Sequence, residues 1–367
     1  TKLIFKSTIK SKLKDQLSIL YYEWFAFIRL LRLVAFKILA KKRTWSEKSY
    51  ILVDTFITQD YKDEDRWYGD FWKNLDQETK KNIIFVPTVV DQSLLAFVKI
   101  INSIKVTERN NILKEEFLRV KDIFDAYLHR GRKRKINIGN SHLGRLDTTA
   151  LVKECLFKNR DVFSTFEALL TYSFLRNLSV KGIEVRLFID WFEGHPVDKL
   201  WNLSVHRYFQ DSKSLAYETF RSFPFYLSTF PTSNEIEAKV VPINFAVQGK
   251  ACEKLVKEFC PELKVMSVPA FKNHYIWNQN SKENHQSTVL VAFPISIKTS
   301  IEILETLVSS CGDLMDVKFV LKVHPAVSLD RMITSMKREL PSNFSFTKEK
   351  SFSKLLEKSS LLITEAS

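Results

Sequence analysis

The sequence predicts an α/β protein of two doubly wound domains, and three observations carry that reading. Apolar runs rich in β-branched residues alternate with segments of helical spacing, a rhythm that builds parallel βα units. The rhythm restarts after WNQNSKENHQS at 277–287, a polar stretch without periodicity that reads as a linker. At 367 residues, 45% hydrophobic and 13% aromatic, the chain is long and apolar enough to fill two cores.

Residues 1–48 precede the first strand as a basic, apolar segment. They hold twelve Lys/Arg against three acids and so supply nine of the net +14. Within them LSILYYEWFAFIRLLRLVAFKILAKKR is interrupted by Glu23, Arg29, Arg32 and Lys37, so no uncharged run nears the ~20 residues of a spanning helix. Two readings stay open. Aromatic and aliphatic residues could sit at the acyl boundary of an anionic membrane while basic ones meet headgroups. Equally, the helix could pack on its own domain with its lysines solvated.

The first domain, 49–276, begins with SYILVDTFIT (49–58), a strand containing Asp54, followed by strands at 82–90 and 135–140. Helical spacing fills 93–105 and 112–130 between them. Further on come a helix over 161–181, strands at 184–189 and 239–247, and a helix around 250–259. The basic run His129–Lys135 reads as a solvated turn or an anionic-ligand patch. Nucleic acid is not the expected partner, because the strands and helices around the run look like an enzyme core.

The second domain, 288–367, reads as strand 288–293, helix 298–311, strand 317–323, helix 328–338, strand FSFT, helix 352–358 and strand LLITEAS. Ending on a strand, this domain is expected to be incomplete at its C-terminus. The start lacks both a secretory signal and an initiator Met, which raises the same expectation there. Cys155, Cys252, Cys260 and Cys311 form no CxxC pair, so neither a zinc site nor a disulfide scaffold is expected, and a reducing, cytoplasmic compartment fits.

In open parallel sheets, ligands bind beyond the carboxyl ends of strands. KFVLKVHP ends a strand on Lys322, His324 and Pro325. Ammonium and imidazole can both hold phosphate oxygens, and proline fixes the turn that aims them. LLITEAS places Thr364, Glu365 and Ser367 where a helix would begin, and hydroxyls with free N–H groups form an anion site. No GxGxxG is present among the eight glycines. In the first domain FIDWFEGHP sets Asp190, Glu193, Gly194 and His195 at a strand end, where a general base would sit. A lone histidine such as His195 is more often structural. DEDR (63–66) reads as an acidic surface stretch and no DxD run is placed for a metal, so no metal ligand is assigned.

The combination of FEG, KVHP and TEAS resembles bacterial GT-B glycosyltransferases that use CMP-activated sugars, including sialyltransferases and Kdo transferases. DRWYGDFW (65–72), IDWFEGHPVDK (189–199), FPTSNEIEAKVVP (230–242) and VPAFKNHY (268–275) are also similar to an uncharacterised bacterial surface-carbohydrate (O-antigen) biosynthesis family, from about residue 49 onward. The resemblance implies two Rossmann-like domains facing a cleft and a metal-independent transfer without a cofactor. The donor is a nucleotide-sugar, and the acceptor a glycan or lipid-linked molecule at the inner face of the cytoplasmic membrane. It implies Glu193 as the base that deprotonates the acceptor, with Asp190 the runner-up. Lys322, His324 and Pro325 would form the donor-phosphate element, and Thr364 and Ser367 a second phosphate contact. The family pattern expects another Ser/Thr just after that serine, and here the sequence has ended. Two alternatives remain: a polymer-forming transferase using CDP-glycerol-like donors, which also carries His-Pro after a strand, and a non-catalytic nucleotide- or glycan-binding module.

Overall fold

The computed structural model describes residues 9–40, 43, 45, 49–57, 67–69, 71–90, 93–133, 135–158, 162–218, 230–272, 287–325, 327–336, 339–349 and 351–365. The expected linker 277–287 lies, but for Ser287, outside them, as do DEDR and Ser367. The chain divides into two compact units, Thr1–Ile276 and Trp277–Ser367.

The first unit holds α1 (Ile9–Leu39), β1 (Tyr50–Ile57), α2 (Gln77–Asn82), β2 (Ile83–Val89), α3 (Leu94–Ile104) and α4 (Val120–Lys133). A two-residue hairpin follows, β3 (His142–Leu143) with β4 (Leu146–Asp147), then α5 (Thr149–Lys158), α6 (Val162–Val180), β5 (Val185–Phe192) and α7 (Pro196–Tyr208). The unit closes with β6 (Lys213–Glu218), α8 (Ser233–Glu237), β7 (Asn244–Gln248), α9 (Lys250–Phe259) and β8 (Lys264–Val268). Six strands form one sheet in the order β2-β1-β5-β6-β7-β8. Every pair in it is parallel, as alternating strands and helices require.

Alternation along β1 explains the two cores of this sheet. Leu52 faces a cluster with Phe188 of β5, Phe166 and Phe174 of α6, Trp201 of α7 and Phe25 of α1. Ile51 and Val53 face the other side, where Tyr68, Phe85, Trp191 and Tyr217 pack. Trp191 meets Trp67 and Tyr68 edge-on, at centroid distances of 5.1 and 5.2 Å. Trp67, Tyr68, Phe71 and Trp72 of the DRWYGDFW segment thus pack on one face of the sheet. Gly69 allows that approach, since a Cβ there would lie 2.3 Å from the Phe271 carbonyl oxygen.

Three sequence expectations are corrected. The helix expected at 112–130 begins only at Val120, because Leu113 is extended and a 3₁₀ turn at Lys114–Glu116 sends Lys114 and Glu115 into the interior. No strand forms at 135–140: the chain there is exposed and unpaired, and only the small β3–β4 hairpin follows. The strand expected from 239 starts at Asn244, since Lys239 takes a left-handed φ of 61° that ends α8 in a turn. Two strands that sequence reading passed over, β6 and β8, widen the sheet.

The charges that interrupt α1 are where its packing is decided. Arg29 and Arg32 are buried. Arg29 pairs with Glu167 of α6 and lies 3.7 Å from Glu115, which is also 3.7 Å from Arg32. Glu167 is also 3.7 Å from Lys114. Half of α1 is therefore a core helix of the first unit, and its arginines are not solvated. Among the described residues no helix is long and apolar enough to cross a membrane.

The second unit is β9 (Thr288–Ala292), α10 (Ile297–Cys311), β10 (Lys318–Lys322), α11 (Leu329–Ser335), β11 (Phe344–Phe346), α12 (Phe352–Leu356) and β12 (Leu361–Thr364). Its sheet is parallel in the order β11-β10-β9-β12. Both units are thus Rossmann-like α/β layers.

Removing one member of a buried ion network leaves its partners charged in a low dielectric, typically at ~3–5 kcal/mol. Glu167→Ala should therefore destabilise by about that amount in urea unfolding, whereas Trp24→Ser on the exposed side of α1 should be near neutral.

Candidate active site

In a parallel sheet the strand order reverses where one connection runs left and the next runs right, and a crevice opens there beyond the carboxyl ends. In the first unit that point lies between β1 and β5. Their register pairs Val53 with Ile189, so Asp54 and Asp190 are the next residues along neighbouring strands. Two residues beyond Trp191 comes Glu193, at the turn into α7.

That turn is closely held. Gly194 has φ +76°, a left-handed value that favours glycine and reverses the chain between Glu193 and His195. His195 caps α7 and Pro196 opens it. Asp198, in the first turn, accepts from the backbone N–H groups of both Glu193 and His195 at 2.9 Å through one oxygen, Oδ2. The Glu193 carboxylate is fixed at both oxygens. Trp191 Nε1 donates to Oε1 at 2.7 Å, and His195 Nε2 lies 3.1 Å from Oε2. Its side chain is 17% exposed and that of His195 58%, so the pair faces solvent. Asp190 has no exposure, and its Oδ2 accepts from Asn202 at 2.5 Å. In this arrangement only Glu193 of the two sequence candidates can touch an incoming molecule.

Beneath the turn lies a group that sequence reading did not assemble. Asp54, Asp190 and Asp198 are all fully buried, with carboxylate oxygens within 4.8 Å of one another. Asp54 Oδ1 and Oδ2, Asp190 Oδ1 and Asp198 Oδ1 have no well-aligned hydrogen-bond partner. Burial pushes the Asp54 and Asp190 carboxyls far up. For Asp54 the Lys114 charge opposes this, and for Asp190 the other two carboxyls add to it. Burial raises Asp198 to about 6 against the two N–H bonds it accepts. Lys114, held at 2.6 and 2.7 Å by Thr88 and Thr171 hydroxyls, is lowered to about 8 by burial, with Asp54 opposing. Three close carboxylates could hold a cation or share protons. Mg²⁺ usually keeps several waters, and solvent reaches none of the three, so proton sharing fits the burial better.

In the second unit the reversal falls between β9 and β12. Lys322 and Thr364 both pair in register with Ala292 of β9, so the two lie in one row at the carboxyl edge of the sheet. His324 and Pro325 follow two and three residues past Lys322, with the His324 carbonyl accepting from Val327 N–H at 2.9 Å. Lys322 Nζ donates to the Glu349 carbonyl at 2.6 Å, and the Thr364 hydroxyl to the Glu365 carbonyl at 3.1 Å. The N-terminus of α10, capped by Ser296, follows β9 at the same edge. Lys322, His324, Pro325 and Thr364 thus share one edge of one sheet.

No protein-family model matches the chain, and no curated protein matches it. Among solved structures, the crystal structure of the glycosyltransferase SnogD from Streptomyces nogalater is similar at 12% identity with a TM-score of 0.43, over 87% of this chain and 76% of that one.

An acid whose pKa is higher in the fold keeps its proton longer there. Its stabilising share is complete below the unfolded value of ~3.9 and is lost as pH rises through the folded value, about 6 for Asp198. Asp54→Asn imitates the protonated form of Asp54, whose carboxyl burial holds well above the usual range. Its melting temperature relative to the parent should therefore climb between pH 4 and 7 in calorimetry; a pH-independent difference would mean the triad is already ionised.

Proposed function

We propose that the chain is a GT-B glycosyltransferase, moving a sugar from a nucleotide-activated donor, a CMP-sugar, to a glycan or lipid-linked acceptor in bacterial surface polysaccharide biosynthesis. The observation that carries the reading is Glu193, a solvent-facing carboxylate held at both oxygens at the reversal point of the first sheet. The FEG, KVHP and TEAS motifs support the class and the CMP donor.

In this mechanism Glu193 takes the proton of the acceptor hydroxyl as the oxygen bonds to the anomeric carbon. The bond from that carbon to the phosphate oxygen breaks, and its electron pair leaves with CMP. His195, 3.1 Å from Glu193 and open to solvent, offers the proton a way out. Lys322 and His324 hold the donor phosphate, with Pro325 fixing their turn and Thr364 and Ser367 adding hydroxyl contacts. Cationic groups stabilise the departing nucleotide without a metal. The reaction runs at the inner face of the cytoplasmic membrane. A CDP-glycerol-type transferase would use the same second-unit edge, and a donor panel separates the two.

A general base contributes ~10²–10⁴-fold in rate. Glu193→Gln should lower transfer by about two orders of magnitude or more while leaving nucleotide binding and melting temperature near the parent's. Asp190→Asn is the control, since Asp190 is buried. Full transfer by Glu193→Gln would end the assignment.

Losing a charge-assisted contact to phosphate costs about 1–3 kcal/mol. His324→Ala should weaken CMP binding by that amount in calorimetric titration without unfolding the protein. Unchanged affinity would remove His324 from the donor site.

A further inference from the structure

From Leu20 onward the outward side of α1 carries large apolar residues. Leu20, Trp24, Phe27, Val34 and Ile38 recur at helical spacing and are all exposed, Trp24 at 59%. Soluble surfaces scatter such residues singly; here they form a stripe. The Trp24 and Phe27 rings lie 5.9 Å apart, tilted at 40° to each other.

A second stripe runs beside it. Val120, Phe124 and Leu128 of α4, four residues apart, are exposed as well, Phe124 at 53%. The two helices are joined by Tyr22, whose hydroxyl donates to the Ala126 carbonyl at 3.0 Å and also contacts that of Tyr127. Phe27 and Phe124 line one groove of about 290 Å³ between them. The stripes are therefore one continuous face.

Its border is basic. Arg130, Arg132, Lys133 and Lys135 lie at and just beyond the end of α4, none of them buried, and the charges of Arg130 and Arg132 reach Tyr22. Lys121 lies between Val120 and Phe124, and Lys37 beside Ile38. Among the described residues, the exposed acids of α1 and α4 are Glu23 and Asp125.

We propose that the α1–α4 face is the surface by which this protein sits on a bilayer containing anionic phospholipid. A protein partner would need a matching apolar groove; a bilayer needs only an apolar stripe with aromatic residues at headgroup depth and cations around it, and all three are present. The cationic border, with a net positive charge on residues 1–48, sets the occupant as an acidic headgroup layer rather than a neutral one. Arg29 and Arg32 face inward, so the helix lies along the surface with its other side fixed in the protein core. The inference deepens the membrane location and rests on it, but it asks nothing of the catalytic residues.

The test is co-sedimentation of the full chain with vesicles of phosphatidylcholine, with and without phosphatidylglycerol. Binding should need phosphatidylglycerol and weaken as salt rises. The combined Trp24→Ser, Phe27→Ser and Phe124→Ser variant should bind at least tenfold more weakly, and Arg132→Glu with Lys135→Glu should remove the lipid preference. Melting temperature and CMP binding should be unchanged in both. Brominated acyl chains should quench parent fluorescence more than that of Trp24→Phe. Vesicle binding that survives both sets of substitutions overturns the proposal, as does a parent that ignores phosphatidylglycerol. A parent dimer broken by the serine substitutions would assign the face to a second copy instead. A parent that binds these vesicles but transfers no sugar would count against the transferase reading alone.

Discussion

The hydrogen bonds that Asp198 Oδ2 accepts from the Glu193 and His195 backbones set the geometry of the first unit's site. They bind the end of β5 to the first turn of α7, and so fix where the Glu193 carboxylate emerges. Everything below that turn is arranged to keep Asp198 in place. Asp54 and Asp190 crowd it from the strands, Asn202 holds Asp190, and Lys114 faces Asp54 from the other side. Lys114 in turn neighbours Glu167, which Arg29 of α1 engages. A chain of buried polar contacts therefore runs from the N-terminal helix to the turn that carries Glu193.

Such a network is costly to bury and costly to break. Its uneven charge state is the consequence. Carboxyls whose pKa burial raises and a lysine whose pKa burial lowers are how a core tolerates so many ionisable groups. Perturbed groups of this kind concentrate at functional sites, and here they surround a glutamate whose oxygens are occupied by an indole N–H and an imidazole. Glu193 itself stays at the rim, where it is accessible.

Much of the fold was legible because it depends on local composition. YILVDTFI, IIFVPTV, TVLVA and KFVLK are apolar enough to read as buried parallel strands. KSLAYE and KVMSV were not legible because each is interrupted by a serine at a half-exposed or exposed position toward the far side of the sheet. The site was half legible. Glu193 stood out through its glycine, whereas Asp198 did not, because α7 itself was missed: His-Pro was read as a strand-end element when it is a helix start. A proline at the first helical position with an aspartate two residues on was the available signal. The meeting of Asp54 with Asp190 joins strands more than a hundred residues apart, which no local pattern encodes. Arg29 and Arg32 looked like interruptions of an apolar helix and are instead what anchors it.

The transferase account is tested most directly by measuring CMP release from CMP-sugars, with and without a lipid-linked or glycan acceptor. The account predicts release that depends on acceptor and falls when the Asp198 carboxylate is replaced by alanine. CMP that protects the protein against heating, yet is never released from any CMP-sugar in the presence of acceptor, would contradict it and mark the chain as a nucleotide-binding module.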